Sequence, residues 1–203
     1  MSVGSSGGFG NELRILQRWD LSGLDTGAGV ASATLTMRAS RARGADTVHL
    51  FALKSANGNW KEGTGDQDLA EPGEATWNSQ RHDANDGGLA WADGEPGAGP
   101  SLSGALPPED SGNDSYYARP IASFTFEDDD DGALIEVELS GAAGLGDGSL
   151  TVLIESWKGL DNPGFVMLPE SGPRHTNRDV QFFTSEAGNA EDRPELRVTL
   201  AKP

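Results

Sequence analysis

The clearest pattern along the chain has a period of two. From Ala133 to Leu139, the apolar Ile135, Val137 and Leu139 alternate with Glu136 and Glu138, so one face of an extended strand is apolar and the other acidic. Glu195 to Leu200 repeats the pattern, with Leu196, Val198 and Leu200 turned inward. Further strands are predicted over Leu13–Trp19, Ala31–Ala39, Thr47–Lys54, Ile121–Phe126, Ser149–Trp157, Gly164–Leu168 and Val180–Phe183. Short strands without a long amphipathic helix predict an all-β fold, an antiparallel β-sandwich of jelly-roll type. Asn57-Gly58, Asp86-Gly87, Asp131-Gly132 and the Gly144–Gly148 cluster supply residues that tolerate positive φ at the turns. Ser79 to Ser115 is dense in Gly, Pro, Asp and Asn, which predicts a long loop insertion within a single domain over residues 1–203.

Composition narrows the partners. At 203 residues and 35% hydrophobic content, the chain can build one core and still carry long polar loops. The formal net charge is −17, from 32 acidic against 15 basic residues. Such a surface repels phosphate backbones and anionic lipid head groups, so nucleic acid and membrane surfaces are poor partners, while divalent cations are natural counter-ions. The same excess also serves solubility. There is no cysteine, which removes disulfides and thiolate metal sites. No apolar run approaches the roughly 20 residues of a membrane span, so no membrane insertion is expected. Met1 to Gly10 is small and polar where a signal peptide needs an apolar core, so an exported protein would not begin naturally here.

Candidate chemistry centres on aromatics in polar surroundings. Trp60 and Trp77 bracket a polar loop, with Asn59, Glu62 and Asn78 beside them. A sugar-binding indole stacks on the C–H face of a pyranose while amides and carboxylates fix its hydroxyls; the alternative is that both rings are core anchors. Trp91, Tyr116 and Tyr117 flank the long loop, where Gly, Asp and Pro make burial in a regular core difficult. They are the stronger platform candidates, against an alternative in which they staple the loop down. Trp157 reads as core. Arg174, His175 and Arg178 form a basic cluster that suits sugar carboxylates or, equally, salt bridges to surrounding acids. Asp128 and Asp130 in the acidic run from Glu127 to Asp131, with Asp147 and Asp161, offer oxygen ligands for a structural Ca²⁺, although a solvated hairpin explains the run as well. His49, His82 and His175 fall in unrelated contexts with neither zinc spacing nor a nucleophile elbow, so no enzyme is expected.

Five segments in register carry a resemblance. R-W-D-L-S-G-L (Arg18–Leu24), A-S-A-T-L-T-M (Ala31–Met37), W-K-E-G-T (Trp60–Thr64), A-T-W-N (Ala75–Asn78) and the ending from Phe182 to Leu200 together resemble the bacterial and archaeal DNRLRE domain. That group overlaps a carbohydrate-binding-module family and the disaggregatase-related repeats. The resemblance implies a secreted jelly-roll module, often appended to polysaccharide-degrading enzymes or large surface proteins. Members of the family usually begin with a further strand, whereas this chain opens at Ser2–Gly8, so the resemblance implies a missing first strand and an open sheet edge.

These readings converge on a non-catalytic, extracellular or cell-surface polysaccharide-binding module, part of a larger multidomain protein. The alternatives are a calcium-stabilised structural or adhesive spacer of a cell-surface protein, and a small polysaccharide hydrolase or lyase. Exposed aromatics would favour binding; their complete burial would favour the spacer.

Overall fold

A computed structural model describes residues 1–6, 11–62, 71–76, 78–83, 88–92, 94, 96–108, 113–159, 161–172 and 177–202. In chain order the elements are β1 (Ser2–Ser6), β2 (Asn11–Leu13), β3 (Ile15–Gln17), β4 (Val30–Arg43), β5 (Asp46–Ala52), β6 (Ser79–Arg81), β7 (Leu89–Ala90), β8 (Ala122–Phe126), β9 (Leu134–Glu138), α1 (Leu150–Ser156), β10 (Phe165–Pro169), β11 (Arg178–Phe182) and β12 (Glu195–Leu200). The six-stranded sheet runs β12-β4-β11-β1-β2, with β9 on the other edge of β4; the four-stranded sheet runs β3-β10-β5-β8; β6 and β7 form a short hairpin. All pairings are antiparallel. β4 organises the larger sheet, since Thr34–Thr36 pair with β12 and β9 at once while Ala39–Arg43 pair with β11.

The two larger sheets pack face to face as an antiparallel β-sandwich. Val3, Leu35, Met37, Val137, Val180 and Phe182 meet Ile15, Val48, Leu50, Phe126, Phe165 and Met167 in the central core. Their alternation along each strand is the period of two that pleating imposes. The smaller sheet is unusual in being apolar on its outer face as well. Phe51 and Leu53 from β5 and its continuation, with Val166 and Leu168 from β10, form a second cluster with Trp60, Trp91, Ala98, Leu102 and Tyr116. The insertion is therefore a third layer. Its own strands and turns lie over the four-stranded sheet, with Trp91 of the insertion and the flanking Trp60 and Tyr116 supplying the aromatic contact.

Two expectations about elements require correction. Ser149–Trp157 is not a strand: Leu150–Ser156 is a helix, capped where the Ser149 hydroxyl accepts from the Val152 amide. Leu150, Leu153, Ile154 and Trp157 recur at helical spacing, and Leu153, Ile154 and Trp157 are buried. The opening segment, absent from the predicted strands, adds one. Ser2–Ser6 is itself a strand, held between β11 and β2, with Val3 in the core. The Asp86-Gly87 turn lies outside the described residues.

Leu13–Trp19 also divides. β2 belongs to the six-stranded sheet and β3 to the four-stranded one, so the chain changes sheet at Arg14. The Arg14 guanidinium pairs with the buried Glu12 carboxylate at 2.6 Å and donates to the carbonyls of Gly97 and Gly99 and to the Ser101 hydroxyl. It thus ties the crossover to the third layer. Breaking a buried ion pair by removing one partner typically costs about 3–5 kcal/mol, because the other charge is left buried and uncompensated. Arg14→Ala should therefore lower unfolding free energy by about that amount in urea titration.

Candidate functional site

The predicted platform residues are mostly inside. Trp91 is 2% exposed, Tyr116 1% and Trp60 5%, all within the second cluster. This corrects the expectation that Trp91 and Tyr116 are hard to bury. The outer face of β5 and β10 supplies the apolar floor, and each polar ring atom finds a carbonyl. Trp60 Nε1 donates to Pro163 O at 2.9 Å, Trp91 Nε1 to Thr76 O at 3.2 Å and the Tyr116 hydroxyl to Pro100 O at 2.9 Å. Tyr117 is half-buried against the central core, with Lys54 Nζ 5.7 Å from its ring and burial raising its pKa. Arg178 is half-buried at the start of β11. Trp77, Arg174 and His175 lie outside the described residues.

The predicted metal ligands do not assemble into one site. Asp128 Oδ1 accepts from the Gly44 amide, Asp130 Oδ2 from Glu127 and Asp131 Oδ1 from Ala42, so the acidic run clamps the β8–β9 turn onto the end of β4. Asp147 caps the Ser149 amide before α1, and hydrogen bonds from Ser149 hold its pKa below the ordinary value. Asp161 sits apart from these, close enough to Arg18 to favour its charge. Among the described residues no three His, Asp or Glu side chains converge as a metal site.

A cleft of about 420 Å³ does gather binding chemistry. It lies at the end of the edge strand β3, and strand alternation explains its two sides. Continuing from Ile15 and Gln17, Trp19 falls on the core-facing side and stacks on Phe165 at 5.8 Å between centroids. Phe165 in turn meets the buried Trp157 at 5.7 Å, so the half-buried Trp19 ring is backed by two fully buried ones. Arg18 falls on the opposite side, its guanidinium 4.5 Å from the centre of the Trp60 ring. The exposed Lys61 and Glu62 follow Trp60, while Asp20, Asn162 and Gln17 complete the polar lining; Met1, Ser185 and Pro194 close the far side.

Two glycines allow this convergence. A Cβ on Gly58 would stand 2.4 Å from the Asp161 carbonyl oxygen, and one on Gly164 would stand 2.2 Å from the Gln17 carbonyl oxygen. Only the missing side chains let the 55–62 and 161–164 segments press together and against β3. Asn162 then bridges, its Nδ2 donating to Trp19 O at 3.0 Å and Gly159 O at 2.6 Å.

The electrostatics of the cleft are mixed. Burial pulls the Arg18 pKa down, opposed by Asp161 and then Glu62. The Asp20 carboxylate accepts from the amides of Ser22 at 2.9 Å and Gly159 at 3.3 Å, and hydrogen bonding, chiefly from Ser22, holds its pKa below the ordinary 3.8. A flat aromatic face ringed by donors and acceptors can stack a pyranose and hold its hydroxyls. Trp19 was missed as a site residue because it closes a predicted strand; its signal was the flanking Arg18 and Asp20, charges that a fully buried strand end would exclude. A second concavity of about 500 Å³, beside Arg119 and the glycine-rich turn from Gly141 to Gly148, has no aromatic in its lining.

One polar constellation was also missed. His49, expected to share no context with the other histidines, has Nδ1 2.7 Å from Ser123 Oγ and Nε2 2.9 Å from Glu170 Oε2. In the neutral ring an ionised Glu170 must accept from Nε2–H, so Nδ1 accepts from the serine hydroxyl. Ser123 is exposed on an open strand face, opposite His49 in the β5–β8 pair, so the trio lacks the enclosing cleft that acyl-transfer chemistry uses.

Trp91→Ala and Tyr116→Ala should each destabilise the fold by about 3–5 kcal/mol, the usual cost of emptying a large aromatic site, as read by urea unfolding. The depressed Asp20 pKa means that its contribution is fully present above the unfolded value and is lost only as pH falls through the lower folded one. Carboxyl NMR titration should place the Asp20 midpoint below 3.8. Among known proteins, no family model, no curated protein and no solved structure matches the chain.

Proposed function

We propose that this protein is a non-catalytic polysaccharide-binding module whose ligand lies in the Trp19 cleft. The observation that carries the reading is the Trp157–Phe165–Trp19 stack, which presents one supported, half-buried indole to a cleft lined by Arg18, Asp20, Lys61, Glu62 and Asn162. Rigid support matters because a ring already held in place loses little entropy when a sugar stacks on it. The cleft also unites the R-W-D-L and W-K-E segments on which the resemblance to the DNRLRE domain rests. The same proposal includes jelly-roll winding, an extracellular or cell-surface setting and membership of a larger protein. No helix among the described residues is long and apolar enough to cross a membrane.

A hydrolase reading is less well supported. Glycoside cleavage needs a carboxyl whose pKa is raised so that it can donate a proton. Asp20 in the cleft is shifted the other way by the amides it accepts. A spacer or adhesive role is favoured by a different observation, the near-complete burial of Trp60, Trp91 and Tyr116. Structural Ca²⁺ belongs to that second reading.

Affinity electrophoresis through immobilised polysaccharides tests the first reading. Wild-type protein should be retarded by at least one polymer, and Trp19→Ala should weaken retention by about tenfold or more, equivalent to about 1.4 kcal/mol. Absence of retention on every polymer leaves the spacer. For calcium, a melting temperature that rises with the metal over chelator supports the spacer's stabilising ion, and identical melting curves remove it.

A further inference from the structure

We infer that the Trp19 cleft selects a neutral, hydroxyl-rich sugar and disfavours uronic-acid polymers; this rests on the glycan-binding reading above. Two residues that line the cleft carry unpaired acceptors. Asn162 is 4% exposed, and both partners of its Nδ2 are carbonyls, so the amide can be oriented only one way and Oδ1 is the atom left over. Among the described residues neither Asn162 Oδ1 nor Gln17 Oε1, both from residues lining the cleft, has a hydrogen-bond partner. Both oxygens are shielded from solvent, so a ligand's O–H donor pairs them only with a small adjustment of the Asn162 and Gln17 side chains, and a ligand without such donors leaves them unpaired. A sugar hydroxyl donates as well as accepts, whereas an ionised carboxylate only accepts and would face these oxygens unfavourably.

Charge points the same way. Among the described residues Arg18 and Lys61 are the side-chain cations of the lining, with the Met1 ammonium held by the Phe182 carbonyl, against Asp20 and Glu62 in the lining and Asp161 beside Arg18. Asp161 and Glu62 already interact with the Arg18 charge, so its N–H groups can donate to hydroxyl oxygens without a net positive potential that would hold an anion. The field of the whole chain, at −17, adds long-range repulsion of any polyanion. Neutral diols fit this arrangement: carboxylates accept from them, the guanidinium donates to them and the indole stacks on the ring.

Titration calorimetry with short neutral gluco-, manno-, galacto- and xylo-oligosaccharides, beside oligogalacturonate and oligomannuronate, tests the inference. At least one neutral series should bind, with the uronates about tenfold or more weaker and neutral affinity changing less than about twofold between low and high salt. The double variant Glu62→Gln, Asp161→Asn should raise uronate affinity relative to neutral affinity; an unchanged ratio removes the electrostatic basis of the inference. Trp19→Ala should abolish neutral binding, and Trp19→Leu, which retains apolar contact with Phe165, replaces it if the alanine variant fails to fold. Uronate binding that is tighter than neutral, weakens with salt and is lost in the Trp19 variants overturns the neutral class but leaves the cleft as a glycan site. No binding at all, or binding indifferent to Trp19, overturns the glycan reading and this inference with it.

Discussion

The central strands of the four-stranded sheet, β5 and β10, bury both of their faces, and most of the molecule's layout depends on that. Leu50 and Met167 face the sandwich core, while their neighbours Phe51 and Val166 face the third layer. An apolar outer face must be covered, and the segments between β5 and β8 cover it. Trp60, Trp91 and Tyr116 are drawn in to do so. Trp91 of the glycine- and proline-rich segment, with Trp60 and Tyr116 on its flanks, serves adhesion to the sheet.

Covering one sheet in this way leaves its edge as the place where the layers meet. At β3 the central core, the third layer and the 161–164 segment come together, which is why one cleft can hold residues from both faces of the strand. Trp19 is backed from the central core and Arg18 from the third layer, through Trp60. The buried Trp60 therefore contributes to the cleft without being its platform. Its indole carries the guanidinium on one side and anchors Pro163 through Nε1.

Much of the sandwich was legible in the chain. Glu195–Leu200 forms β12 over the residues its alternation predicted, with Leu196 and Val198 against the core but Leu200 exposed at the strand end, and Leu134–Glu138 lies within the predicted Ala133–Leu139. Those strands have one wet face, so their pattern is unambiguous. Ser149–Trp157 misled because its apolar residues satisfy a strand's high apolar content as well as a helical stripe, and the Ser149 cap decides between them locally. The site was less legible. Burial of Trp91 and Tyr116 depends on an outer sheet face whose apolar character is visible in β5 and β10 but whose covering partner is not. Trp19, Arg18 and Asn162 converge through tertiary approach at Gly58 and Gly164, for which the sequence records only the absence of side chains.

Apolarity on both faces has a further consequence for assembly. In an ordinary sandwich strand, slipping the register by one residue turns polar side chains into the core, and the error is heavily penalised. Slipping β5 would merely exchange Leu50 for Phe51, one apolar side chain for another. The penalty must then come from polar rungs at fixed positions. His49 is such a rung, since a slip would carry its imidazole into the sandwich interior and away from both Ser123 and Glu170. The trio thus works as a key in a lock between β5, β8 and the end of β10, proofreading an alignment that hydrophobicity alone would leave ambiguous.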